Sequence, residues 1–234
     1  MKKIKLTWYA RCCFLIEING KKILIDPHDQ FDDVYMGLVE ADHTLISSVA
    51  HDHGHIAASP QSLTRHEVGS ELLEGNIEVN GMMTKESRGT SNLIYNIKVN
   101  NFSITCFADL GDPQSIERLS QKEKAVLEST NIALVRPNQI LHEPDVSSGE
   151  LALRYCDPQI IIPYHFYPAK FIERVKAPKE MRGYLPQVEN MIKKLSYKKQ
   201  QFEGYEAEIS LDDYDTKTAI LFSDVHPQVV YKNE

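Results

Sequence analysis

Three histidines alternate within five residues at His51-Asp52-His53-Gly54-His55, directly after an apolar run that ends at Val49. Imidazole is the commonest biological metal ligand, and histidines on a tight loop can aim two or more ring nitrogens at one ion. A histidine-rich loop can equally lie in solvent or serve structural hydrogen bonds, so the cluster alone does not decide. Two later positions point the same way. Asp109 follows the apolar run 102–107, and His165 follows the run 160–162. Taken singly, Asp109 reads as a helix cap and His165 as a buried structural histidine. Together with the loop they place potential ligands at the ends of three separate strands, where a rigid sheet positions chemistry well. His66 and His142 read as ordinary surface or structural histidines.

The elements that must hold these residues are legible from pattern. Strands are expected over 5–9, 12–18 and 22–25, the last two joined by Asn19-Gly20, the strongest short hairpin signal because both turn residues tolerate positive φ. A further strand over 44–49 runs into the histidine loop. Residues 93–99 and 102–107 form a second hairpin around Asn100-Asn101. A helix is expected over 113–128, with Pro113 in its first turn, then a strand over 132–135. Ser147-Ser148 caps a helix reaching Tyr155, and a buried strand over 160–162 is closed by Pro163-Tyr164-His165. Helices over 169–175 and 187–195 and strands over 206–211 and 216–222 complete the chain. Hairpins with interspersed helices indicate layered sheets under helical cover.

Composition narrows the function classes. The 234 residues, 42% hydrophobic, suit one compact domain. A net charge of −7 gives no pull toward nucleic acid or an anionic membrane. The stretch 170–199 is an exception: its nine Lys/Arg and three Glu read as a solvated helical surface or as a basic flap for an anionic substrate. Cys12, Cys13, Cys106 and Cys156 form no CxxC pair and read as buried free thiols of a reducing compartment. No signal peptide or transmembrane span is expected, which suggests a cytoplasmic protein.

Longer motifs sharpen the picture. Leu6-Thr-Trp-Tyr leads into Phe14-Leu-Ile-Glu-Ile-Asn-Gly-Lys-Lys-Ile-Leu-Ile-Asp-Pro27. Ala41-Asp42-His-Thr-Leu-Ile-Ser leads to His51-Asp-His-Gly-His55. Arg88-Gly-Thr-Ser-Asn92, Phe107-Ala-Asp-Leu-Gly111, Gly149-Glu-Leu-Ala-Leu and Ile161-Ile-Pro-Tyr-His165 follow. In these segments residues 4–168 resemble the metallo-β-lactamase-like superfamily, above all the branch near ascorbate-6-phosphate lactonase and related metal-dependent hydrolases. The resemblance implies an α/β (α+β) fold, a four-layer αββα sandwich, as a single domain over 1–234 with a divergent helical and strand part from about 169.

It also implies a metal site. His51, His53, Asp109 and His165 match family positions, Asp109 as the bridging aspartate, and Asp109 and His165 are the expected catalytic positions. The family loop His-x-His-x-Asp-His is one residue longer than this one in that alignment. If its Asp is deleted here, His55 is the second-site histidine. If the spacing is kept, His55 replaces the Asp and Ile56 the last His. Met83-Thr84-Lys85-Glu86-Ser87 lacks the histidine the family places before its Arg-Gly segment, and a histidine of the opening hairpin is replaced by Arg11. Asp26 either orients a ligand histidine through its other ring nitrogen or caps the Asp26-Pro27 turn, while Arg88 and Tyr164 are candidates to line a cleft. The expectation is one ion, zinc or else manganese or iron, held by His51, His53 and either His55 or His165 with Asp109 beside it. The implied function is hydrolysis of a small, anionic ester, lactone or phosphoester by a metal-activated water, with no nucleic-acid or membrane partner and with oligomers possible. The alternatives are a catalytically degenerate ligand-binding or interaction protein and, less well matched to the acidic charge, a metal-dependent nuclease.

Overall fold

The computed structural model describes residues 3–28, 33–50, 52–182 and 185–232. Its strands in chain order are β1 (Ile4–Trp8), β2 (Phe14–Ile18), β3 (Lys21–Ile25), β4 (Val34–Tyr35), β5 (His43–Leu45), β6 (Leu63–Arg65), β7 (Gly69–Leu73), β8 (Ile77–Lys85), β9 (Ser91–Val99), β10 (Phe102–Cys106), β11 (Ile132–Val135), β12 (Gln139–Ile140), β13 (Glu143–Ser147), β14 (Ile160–Pro163), β15 (Lys198–Phe202), β16 (Glu206–Ile209), β17 (Thr218–Phe222) and β18 (Val230–Tyr231). The helices are α1 (Pro113–Glu117), α2 (Gln121–Glu128), α3 (Ser148–Ala152), α4 (Ala169–Val175) and α5 (Leu185–Leu195).

Two large sheets dominate. The first has the order β16-β1-β2-β3-β5-β6, the second β15-β17-β14-β11-β10-β9-β8-β7. Ile4, Leu6 and Trp8 alternate as buried residues of β1, the apolar runs 14–16 and 23–25 of β2 and β3 are buried on both faces, and the Asn19-Gly20 turn sits at φ 51° and 74°, as a tight hairpin requires. Aromatic side chains weld the sheets together: Phe14 of β2 lies 6.1 Å from Phe222 of β17 and 6.2 Å from Tyr164, which follows β14. This two-sheet core with helical cover is the αββα sandwich class expected from the sequence. No described helix is long and apolar enough to cross a membrane.

Several boundaries differ from the sequence expectation. The segment 63–85, assigned no structure from pattern, forms β6, β7 and β8, with β6 and β7 at the edges of the two sheets. Their outer faces are polar and lack clear alternation, so the periodicity is weak. The strand expected over 44–49 is three residues long, because 46–50 already belongs to the loop. The single helix expected over 113–128 is two, since Ser120 caps α2 with a capping box to Glu123 and forces a break.

What matters for function is direction. β3, β5, β10, β11 and β14 take part in parallel pairings, β3 with β5 and β10 with β11 and then β14. Parallel strands deliver their following residues to the same sheet end. Asp26 follows β3, the loop 46–55 follows β5, Asp109 follows β10, Arg136 follows β11 and His165 follows β14.

Candidate metal centre

The strand ends converge on one buried cluster. His53 Nε2 lies 3.5 Å from Asp109 Oδ2 and 3.7 Å from Asp52 Oδ2. His165 Nε2 lies 3.4 Å from Asp52 Oδ2 and 3.6 Å from Asp109 Oδ1. Four ligands on a tetrahedron with metal bonds of about 2.0–2.1 Å stand roughly 3.3–3.5 Å apart, close to these separations. Cys12 Sγ is 3.5 Å from His53 Nε2, and the donor atoms of Cys12, His53, Asp109 and His165 all fall within 4.8 Å of one another.

The backbone is bent to make this possible. Ala10, Arg11, Asp26, Ala108 and His165 all adopt positive φ without being glycine, a conformation that must be held by its surroundings. The 9–13 loop is held by Trp8 Nε1 and His165 N, which both donate to Arg11 O, at 3.2 and 3.0 Å. Asn92 holds the Asp109 turn: its Oδ1 accepts from Asp109 N at 2.9 Å, while its Nδ2 donates to Thr84 Oγ1 at 2.9 Å. Tyr164 Oη donates to Ala108 O at 2.9 Å. Tyr164 is therefore a buried brace and not a lining residue of the cleft.

Asp26 is fully buried. Its carboxylate accepts from Ser47 N and Ser47 Oγ, each at 2.7 Å, and from His53 Nδ1 at 3.0 Å. A proton fixed on Nδ1 leaves the lone pair on Nε2, the nitrogen that faces the cluster, which is how a carboxylate prepares a ligand histidine. Burial and the Arg136 guanidinium push His165 down to about 3, so its imidazole is neutral with a lone pair available. Burial alone would raise Asp109, but Arg136, His165 and His53 hold its carboxyl well below the usual range. Burial would likewise raise Asp52, but the nearby His165 and His53 lower it. Burial pushes the Cys12 thiol up to about 12. Burial would lower His53, but Cys12, Asp109 and Asp26 raise it well above its ordinary value. The two ionised carboxylates and the neutral His165 are thus the donors ready for a cation, whereas His53 and Cys12 would each first have to lose a proton. Asp109 Oδ1 is buried and accepts no hydrogen bond from the described residues. Donor chemistry, spacing, the Asp26 brace and this open carboxylate oxygen all fit a single divalent ion.

Of the residues singled out from the sequence, His53, Asp109 and His165 come together, and Asp26 stands behind them. His51 lies outside the described residues. His55 lines a different cleft with His28, Tyr35 and Gln228, its backbone N–H donating to Pro27 O at 2.8 Å. It is not part of the ligand group, because the turn at His53 and Gly54, both bonded to Ala50 O, carries it away. His66 bonds Ile46 O at 2.7 Å, and His142 is exposed. Sequence reasoning missed Asp52, Cys12 and Arg136. Asp52 could have been found by aligning the Asp-His end of the family loop on Asp52-His53, which restores the full spacing and places Ser48 and Ala50 where the loop's first two histidines stand. Cys12 and Arg136 carry no local signal.

Next to the cluster is a cleft of about 350 Å³ lined by Glu86, Ser87, Arg88, Asp109, Arg136 and Asn138, with Gln139 and Leu141. Arg136 Nη1 forms an ion pair with Asp109 Oδ2, and Arg11 Nη2 reaches Asp52 Oδ2 at 3.2 Å. The basic stretch 170–199 does not supply these cations. Its Lys170, Arg174, Lys194 and Lys199 pair with Glu203, Asp224, Glu150 and Glu189.

Comparison with known proteins agrees with this geometry. The beta-lactamase superfamily domain model matches residues 5–165. The chain belongs to that superfamily. A protein from Thermotoga maritima assigned as a Zn-dependent hydrolase of the metallo-β-lactamase superfamily has a similar fold, with a TM-score of 0.64 and 17% identity over 95% of this chain and 100% of its own. A protein from Parabacteroides distasonis assigned as a metal-dependent hydrolase aligns with a TM-score of 0.54 and 11% identity, covering 95% of this chain and 94% of its own. CmlA, a diiron β-hydroxylase from Streptomyces venezuelae, aligns with a TM-score of 0.53 and 10% identity over 95% of this chain and 53% of its own. At such identities the likeness is one of fold. No curated protein matches the chain.

Proposed function

We propose that this protein is a hydrolase dependent on one divalent metal ion, held by Asp52, His53, Asp109 and His165, and that it acts on a small anionic ester, lactone or phosphoester. The observation that carries the reading is the meeting of Asp52, His53, Asp109 and His165 at strand ends, with each imidazole Nε2 3.4–3.7 Å from an oxygen of both carboxylates and His53 fixed by Asp26. Zinc, manganese and iron all suit mixed imidazole and carboxylate ligation.

When bound, the ion supplies a Lewis acid and lowers the pKa of a water to near 7. The chain supplies the rest. Asp26 and Ser47 keep His53 in one tautomer and one orientation. Asp109 Oδ2 is tied to Arg136, so Oδ1 is the oxygen placed to ligate or to take a proton. Arg11 and Arg136 balance the carboxylates and keep them ionised in a buried site. The cleft beside Asp109 opens the reaction centre to a small molecule, and the polar lining suits an anion better than an apolar ester.

Elemental analysis of protein purified without added metal tests this reading. About one ion per chain is expected, falling sharply in Asp52→Ala and His165→Ala variants that keep their fold. A ratio unchanged in both variants overturns the assignment. A second reading, a binding protein without turnover, is favoured by one observation, the direct hold of Arg136 on Asp109. A metal-loaded chain that binds phosphorylated lactones but hydrolyses none of a panel of lactones, phosphodiesters and esters would select it.

A further inference from the structure

Arg136 emerges from β11 as His165 emerges from β14, so its guanidinium arrives at the same sheet end as the ligands. It grips Asp109 on Oδ2, and Asp109 also faces His53 and His165. Ser48 and Ala50, which stand where the family loop has its first two histidines, offer no imidazole. Ser48 Oγ instead donates to Glu86 Oε1 at 3.4 Å, and Thr84 is buried in hydrogen bonds with Asn92. The charges follow suit. Asp26, Asp52, Asp109 and Glu86 are set against Arg11, Arg88 and Arg136, so one divalent ion leaves the site slightly positive, which suits an anion, and a second would leave it more strongly positive.

We infer that Arg136 takes the place of a second metal ion beside Asp109 and, with Arg88 of the same cleft, binds an oxyanion of the substrate, a phosphate or a carboxylate group. The inference rests on the single-ion reading above. A guanidinium is a fixed cation whose planar set of N–H donors matches two oxygens at once. One of its nitrogens can therefore hold Asp109 while the group still borders the cleft that Arg136, Arg88 and Ser87 line. A fixed cation also needs no ligands of its own, which accounts for Ser48 and Ala50 being tolerated in the loop.

The test titrates the zinc-loaded full chain with inorganic phosphate and, separately, with acetate by calorimetry, comparing wild type with Arg136→Met and Arg88→Met. Zinc per chain is measured on the same samples. One zinc per chain is expected throughout. Phosphate or acetate affinity is expected to fall at least about tenfold in Arg136→Met and several-fold in Arg88→Met, and whichever anion binds more tightly to wild type identifies the group recognised. Unchanged anion affinity in an Arg136→Met chain that retains one zinc overturns this inference and leaves the metal site standing. Two tightly held zincs in wild type also overturn it. A chain that holds no zinc overturns the single-ion reading instead. If Arg136→Met does not fold, phenylglyoxal labelling of the native chain, mapped by mass spectrometry, replaces it: phosphate is expected to protect Arg136, and equal labelling with and without phosphate overturns the inference.

Discussion

Asp26 illustrates how one side chain sets the chemistry of another. It holds three hydrogen bonds without touching the proposed ion, two from Ser47 and one from His53. Replacing it by Asn keeps the shape but removes the charge and offers a donor where His53 Nδ1 needs an acceptor. Metal affinity is expected to fall about 10- to 100-fold in Asp26→Asn, read by competition with a chromophoric chelator, and an unchanged affinity would show that Asp26 only caps its turn. The register of the loop has an equally local test. His53→Ala is expected to abolish tight metal binding, whereas His51→Ala should retain most of it, since Asp52 and His53 are the pair that meets Asp109 and His165. Metal loss in His51→Ala as complete as in His53→Ala would restore the sequence-based alignment.

At the scale of elements, the site depends on short connections that are each pinned by one polar contact. Asn92 joins β9 to the turn after β10 through Asp109 N and Phe107 O. Asn92→Ala leaves the part-buried Asp109 N–H without its Asn92 partner, and a loss of about 1–3 kcal/mol is expected from that group, measurable by urea unfolding. The helix α3 shows a sequence-visible counterpart. Ser147 accepts from Glu150 N at 3.1 Å, and Glu150 returns a carboxylate to Ser147 N at 2.8 Å. Ser147→Ala is expected to cost about 1 kcal/mol without changing metal content, and a change in metal content would show that α3 couples to the site.

For the whole molecule, pH dependence follows from two histidines away from the ligand cluster. Burial and then Arg65 lower His43 from its ordinary 6.5, with Arg65 Nη1 directed at His43 Nδ1 at 3.0 Å. Burial lowers His226, which stacks on Tyr9 at 4.6 Å. A folded pKa below the unfolded value means that the unfolded chain takes up the proton more readily. The stability these neutral rings contribute is therefore present above about pH 6.5 and lost as pH falls through the lowered values. A His43→Gln/His226→Gln variant is expected to show a flatter fall in melting temperature between pH 7 and pH 5 than wild type, both measured with the same chelator. An identical slope would exclude these two residues as the source.

The sequence by itself determined layered sheets and more than half of the strands, because alternation, Asn-Gly turns and capping residues act over a few neighbours, while the four-layer sandwich was what its resemblance to the superfamily implied. It also determined that Asp109 and His165 end strands, since an apolar run followed by a polar residue is visible without knowing what the strand packs on. Which loop residues face the centre was decided only by the tertiary structure. His53 and His55 are two positions apart on one loop, yet a turn bonded to Ala50 O sends them to different clefts. Arg136 and Cys12 lie far from Asp109 in sequence and carry no local pattern. They meet the site because parallel pairing of β10, β11 and β14 brings strand ends together and the 9–13 loop is latched to His165. Hydrophobic periodicity reports which face of a strand is buried, whereas the residues that meet at its end are set by the order in which strands pair.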